Sequence, residues 1–196
     1  MSGILTDNVG RSSGLVKSGS GGSSSWTYQT AAATTSGTSV EFTSLASGIK
    51  HIWATFRAVG NTTDASLNCV IGDSGGYETS AYRSLAAVTS GDGVFQDVTS
   101  GFVLVGGTGQ FDTNIRLTGM VELVRNDPSN HQWTCWGLLH GHHQTGSSDN
   151  FHSFSGTKEL SAELDRVKFE ISTGAYDTGA IIMHSESRHE KICSNC

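Results

Sequence analysis

Three groups of residues in this chain have types and spacings suited to chemistry. The first is Gly72-Asp73-Ser74-Gly75-Gly76, the composition of a nucleophile loop. In such a loop glycines let backbone N–H groups approach an oxyanion, and a partnered histidine activates the serine. Upstream of Ser74 stands a single histidine, His51, inside an alternating run, and Tyr77 follows where a loop of that kind carries proline. A glycine-rich β-turn is therefore the expected structure, and no catalytic residue is assigned. The second group is His140-Gly141-His142-His143 together with Cys193-Ser194-Asn195-Cys196. Zinc takes four imidazole or thiolate ligands in a tetrahedron, so His140, His142, Cys193 and Cys196 are the candidate set. One CxxC pair on a polar tail would have to fold back to reach the histidines, and the expectation is no metal and no cofactor. The third group is aromatic: Trp53, Trp133, Trp136, Tyr77 and Tyr82 carry ring faces that suit sugar stacking. Trp133 and Trp136 lie in a hairpin and are expected to be buried; Tyr77 and Tyr82, in the 72–100 loops, are the candidate glycan-facing residues. Asp and Glu are scattered, so spacing picks out no carboxylate pair for glycoside hydrolysis.

The elements that must position these residues are strands. Ile115, Leu117, Gly119, Val121 and Leu123 alternate with Arg116, Thr118 and Glu122, which is the period of a half-buried β-strand. Asn126-Asp127-Pro128-Ser129-Asn130 reads as a turn. The return limb carries Trp133, Cys135 and Leu139 on one face and Trp136 and Leu138 on the other. Being apolar on both faces, it belongs in the middle of a sheet or under a second layer. Around this hairpin, shorter alternating runs begin at Trp26, Val40, His51, Leu67, Gly101, Phe151, Leu164 and Ala180, while residues 72–100 read as loop-rich. About nine or ten short strands with regular turn signals predict one antiparallel β-sandwich, jelly-roll-like, rather than βαβ units.

Composition agrees. Charged residues make up 15% of the 196-residue chain, with 25 glycines and one proline, which suits short strands and turns. A net charge of -6 leaves no basic footprint for nucleic acid. No apolar run is long enough to span a bilayer as a helix, and the first residues lack the basic and apolar regions of a secretory signal. The four cysteines are therefore expected as free thiols, Cys69 and Cys135 buried within strands. The chain divides into an extended arm and Gly/Ser tether (1–25), a sandwich domain (26–186) and a polar tail (187–196).

Several segments carry a resemblance. ILTDNVGRSSGLVK, the pair SVEFTSL and GIKHIWATF, VIGDSGGYETSAY, NIRLTGMVEL, and LSAELDRVKFEISTG with YDTGAIIMH are similar to small β-sandwich virion structural proteins of tailed bacteriophages. The likeness covers most of 1–185, and the ending SESRHEKICSNC departs from it. It implies a non-enzymatic virion component assembled in the host cytoplasm, displayed as a homotrimer in the manner of a capsid decoration or tail-fibre protein. The arm would bind another virion protein, capsid or tail, through Ile4, Leu5, Val9, Arg11, Leu15 and Val16, laid on its surface as an extended peptide; the alternative from the residues alone is a disordered tail. The alternative is a carbohydrate-binding module that recognises a host surface glycan. Neither nucleic acid nor membrane is an expected partner.

Overall fold

The computed structural model describes residues 24–89, 95–107, 109–127, 129–146 and 149–188, and the regular elements among them are all β-strands. In chain order these are β1 (Ser24–Tyr28), β2 (Ala32–Ala33), β3 (Ser39–Phe42), β4 (Ile49–Asn61), β5 (Leu67–Asp73), β6 (Gly76–Tyr77) and β7 (Arg83–Val88). They continue with β8 (Phe95–Val98), β9 (Phe102–Val105), β10 (Ile115–Asp127), β11 (Gln132–His143), β12 (Asn150–Glu159), β13 (Arg166–Ile171) and β14 (Tyr176–Arg188). Two antiparallel sheets form. The nine-stranded sheet has the order β1-β14-β4-β10-β11-β12-β7-β8, with β2 also on β14. The five-stranded sheet runs β3-β13-β5-β6, with β9 also on β5. The all-β, two-sheet sandwich read from the sequence is the architecture observed.

The hairpin β10–β11 sits at the centre of the larger sheet, flanked by β4 and β12. Leu117, Val121, Leu123, Trp133, Cys135 and Leu139 point from it into the core. The second sheet answers with Cys69, Ile71, Val167 and Phe169. The layers meet where Phe56 of β4 packs edge-to-face on Phe169 of β13, with centroids 5.2 Å apart. Each such large side chain, fully buried, contributes about 1.5–3 kcal/mol. Two glycines permit the close approach of the central strands. Gly119, at φ +151° beside a break in register with β4, faces the Leu138 carbonyl, and Gly137 faces the Met120 carbonyl. A Cβ at either position would lie 2.2 Å from that oxygen.

Two expectations change. Residues 72–100 hold strands rather than mainly loops: β7 pairs with β12 and turns Ser84, Ala86 and Val88 inward. These inward residues are small or polar, so the alternation gave a weak hydrophobic signal. Ordered sheet also extends past 26–186 at both ends, because β1 pairs with β14 from Ser24↔Arg188 to Tyr28↔His184. Backbone pairing between Ser-rich ends leaves no side-chain pattern to read.

Candidate functional site

The outer face of the nine-stranded sheet brings together the residues that chemistry can use. Strand register sets them in rows. One row crosses from Tyr28 through His184, Trp53, Glu122, Trp136 and Ser155 to Leu85. A neighbouring row runs from Ile182 through Thr55, Met120, Leu138 and Ser153 to Ala87. Leu85, Met120, Trp136, Leu138 and Phe151 form an apolar band on this face, exposed by between 40% (Phe151) and 48% (Trp136). The side chains between them on β12 and β7 are Ser153, Ser155 and Ala87, which bring no charge. At the Leu85 end the band opens into a depression of about 640 Å³ lined also by Arg83, Thr134, Ser155 and Thr157. Trp136 was expected to be buried; it is half exposed because β11 lies in mid-sheet with only its other face under the second layer.

Toward β1 the same face turns aromatic and charged. Trp26 stacks on Trp53 with centroids 4.9 Å apart and planes 22° off parallel. His51 packs edge-on to Trp53 at 4.9 Å. Its Nε2 is hydrogen-bonded to the Glu122 carboxylate, and its Nδ1 lies 3.8 Å from Glu186. Beside this cluster a depression of about 360 Å³ is lined by Lys50, His51, Val124, Arg125 and Glu186. Tyr28, packed against His184, is 75% exposed. Sequence reading named Trp53 here but missed Trp26, 27 positions earlier in chain order by Trp53's count from it, since only the β1–β14–β4 pairing makes them neighbours.

Of the candidate metal ligands, His140 and His142 do converge, on an aspartate the spacing did not single out. His140 Nε2 and His142 Nδ1 lie 3.0 and 3.1 Å from the two carboxylate oxygens of Asp149. The backbone N–H of His143 donates to the same carboxylate, and this bond, followed by the His140 contact, holds the carboxyl below its usual range. The spacing of two residues puts both histidines on one strand face. Among the described residues no three His, Cys, Asp or Glu side chains form a metal-binding group. Cys193 and Cys196 lie outside the described residues, as do the arm residues Ile4, Leu5, Val9, Arg11, Leu15 and Val16. Cys69 and Cys135 are buried free thiols.

The glycine-rich loop is a structural turn. Asp73 accepts hydrogen bonds from the Ser161 hydroxyl at 2.6 Å and the Gly75 N–H at 2.7 Å, and these bonds, in that order, lower its pKa. Ser74 is exposed on the β5–β6 connection of the smaller sheet, whereas His51 is engaged with Glu122 on the outer face of the larger one. Tyr82 is placed differently from the glycan-facing expectation, whereas Tyr77 keeps partial exposure. Tyr82 is 1% exposed; its hydroxyl donates to the Ile71 carbonyl and accepts from the Ile71 N–H, so it ties the sheets together inside the core. Tyr77 is partly covered, with Lys168 and Arg166 over its ring and its hydroxyl donating to Glu41. Buried polar groups are paired or neutral. Lys158 is paired with Glu78 and donates to the Glu159 carbonyl. Burial pushes the His152 pKa down to about 4, and its Nε2 has no hydrogen-bond partner.

Comparison of the chain with protein-family profiles, with curated proteins and with solved structures returned no match.

Proposed function

We propose that this chain is a non-enzymatic virion structural protein of a tailed bacteriophage. In this reading its subunits associate through the outer face of the nine-stranded sheet, and the N-terminal arm attaches the assembly to another virion protein. The observation that carries the assembly is the band of Leu85, Met120, Trp136, Leu138 and Phe151. Contiguous half-exposed apolar side chains on one sheet face mark a surface that a partner covers. A second copy is the partner that fits. The five side chains of the band carry no charge, the adjacent Glu122 and Asp149 are paired with His51 and His140, and Arg83 stands at the rim beyond Leu85, so three copies converge on the band around a common axis without burying an unpaired ion. The copies assemble as the homotrimer that the resemblance implies.

The virion setting rests on that resemblance, and its segments now have structural places. SVEFTSL covers β3, GIKHIWATF lies on β4, VIGDSGGYETSAY spans β5 and β6, and NIRLTGMVEL lies on β10. LSAELDRVKFEISTG covers β13, and YDTGAIIMH lies on β14. They are framework strands, so the likeness speaks for the scaffold and its display rather than for a catalytic centre. The test is copy number in gradient-purified particles, by quantitative mass spectrometry. Hundreds of copies, comparable to the major capsid protein, support a capsid decoration role, and a few to a few tens support a tail position. Absence from the particle overturns the proposal.

A further inference from the structure

We propose that the corner formed by Trp26, Trp53 and His51 is a binding subsite for a neutral pyranose glycan. Two independent features meet there. Trp26 is 37% exposed and stacked on Trp53, so the second ring backs the first and fixes its plane. A rigid, backed indole face is the surface on which the C–H side of a pyranose ring packs without displacing polar groups. Next to it lies the depression of about 360 Å³ walled by Lys50, His51, Arg125 and Glu186. A pocket that combines an aromatic face with a few fixed polar groups is the usual form of a small-ligand site.

Its charges select the ligand class. Lys50 and Arg125 are cations, Glu186 and Glu122 are carboxylates, and His51 lies between the two carboxylates. Donors and acceptors are thus balanced around one cleft, which suits a neutral polyol whose hydroxyls both donate and accept. An anionic sugar would face two carboxylates, and a cationic one two basic side chains. Glu122, held by His51, separates this corner from the apolar band, so a partner copy seated on Met120, Leu138 and Phe151 leaves Trp26 open. The inference does not rest on self-association: a variant that separates the subunits is expected to bind sugar as the parent does.

The experiment titrates the full chain with maltohexaose, cellohexaose and N-acetylchitopentaose, and follows the four indole N–H signals by NMR. At least one sugar is expected to shift the Trp26 and Trp53 signals and leave that of Trp133, buried in the core, unmoved. Trp26→Ala is expected to weaken binding at least about tenfold, and Trp26→Tyr to stay within about threefold. Because Trp26→Ala also removes a stack that holds β1, Glu186→Gln, which leaves every ring in place, serves as the second variant. It is expected to weaken binding by about threefold or more. No shift with any of the three sugars, or affinity unchanged in both Trp26→Ala and Glu186→Gln, overturns the proposal.

Discussion

Leu138 and Leu139 are consecutive residues of one strand and have opposite fates. Leu139 points between the sheets with no exposed surface, while Leu138 points outward and is 47% exposed. The same contrast runs along the whole hairpin. Trp133 and Val121 are each 1% exposed on the inner side, whereas Trp136 and Met120 stand half open on the outer side. At these positions residue type does not separate the two faces; the second sheet does. The fold accounts for the inner set completely. The outer set leaves large apolar side chains half exposed on a sheet face, and the proposed assembly would cover them.

The contrast breaks or holds on matched substitutions. Leu139→Ala is expected to cost about 2–5 kcal/mol of folding stability, from lost transfer energy and the cavity left in a packed core, measured by chemical denaturation. Leu138→Ala is expected to change the stability of the separated subunit by less than about 0.5 kcal/mol. Similar costs at the two positions would mean that the outer face is supported within one subunit. The buried His152 sharpens the same boundary through pH. Its folded-state pKa is pushed down to about 4, against an unfolded value of about 6.5, so the unfolded chain takes the proton first. The stability contribution is therefore fully present above about pH 6.5 and is lost as pH falls toward 4, by about 3 kcal/mol in all. His152→Leu is expected to flatten that part of the pH–stability curve. An unchanged slope would place the proton acceptor elsewhere.

How much of this was legible depended on the range of the interaction. The hairpin could be read because its alternation is local, and so could the free, buried Cys69 and Cys135. Apolarity on both faces of β11 correctly implied a mid-sheet position, but sequence cannot say which face the second layer covers, and Trp136 fell on the open side. Tyr82 was read as a loop aromatic because its partner, the Ile71 backbone, belongs to the other sheet. The residue before it, Ala81, adopts φ 60°, a turn that no glycine or asparagine announces. Asp149 and Trp26 were missed for the same reason. Each meets its partners only through strand pairing: β11 with β12 for Asp149, which immediately precedes β12, and β1 with β14 and β4 for Trp26. Single charged or aromatic residues carry no periodic signature of such meetings.

The most direct test of assembly through the outer face is solution molar mass, by size-exclusion chromatography with light scattering, for the parent chain and Leu138→Asp. The parent is expected at three times its 20.6 kDa chain mass. The variant is expected at one chain mass, with unchanged far-UV circular dichroism. A parent that runs as a monomer at tens of micromolar (a range in which a stable interface of standard size is filled), or a Leu138→Asp variant that keeps the parent's mass, would contradict the account.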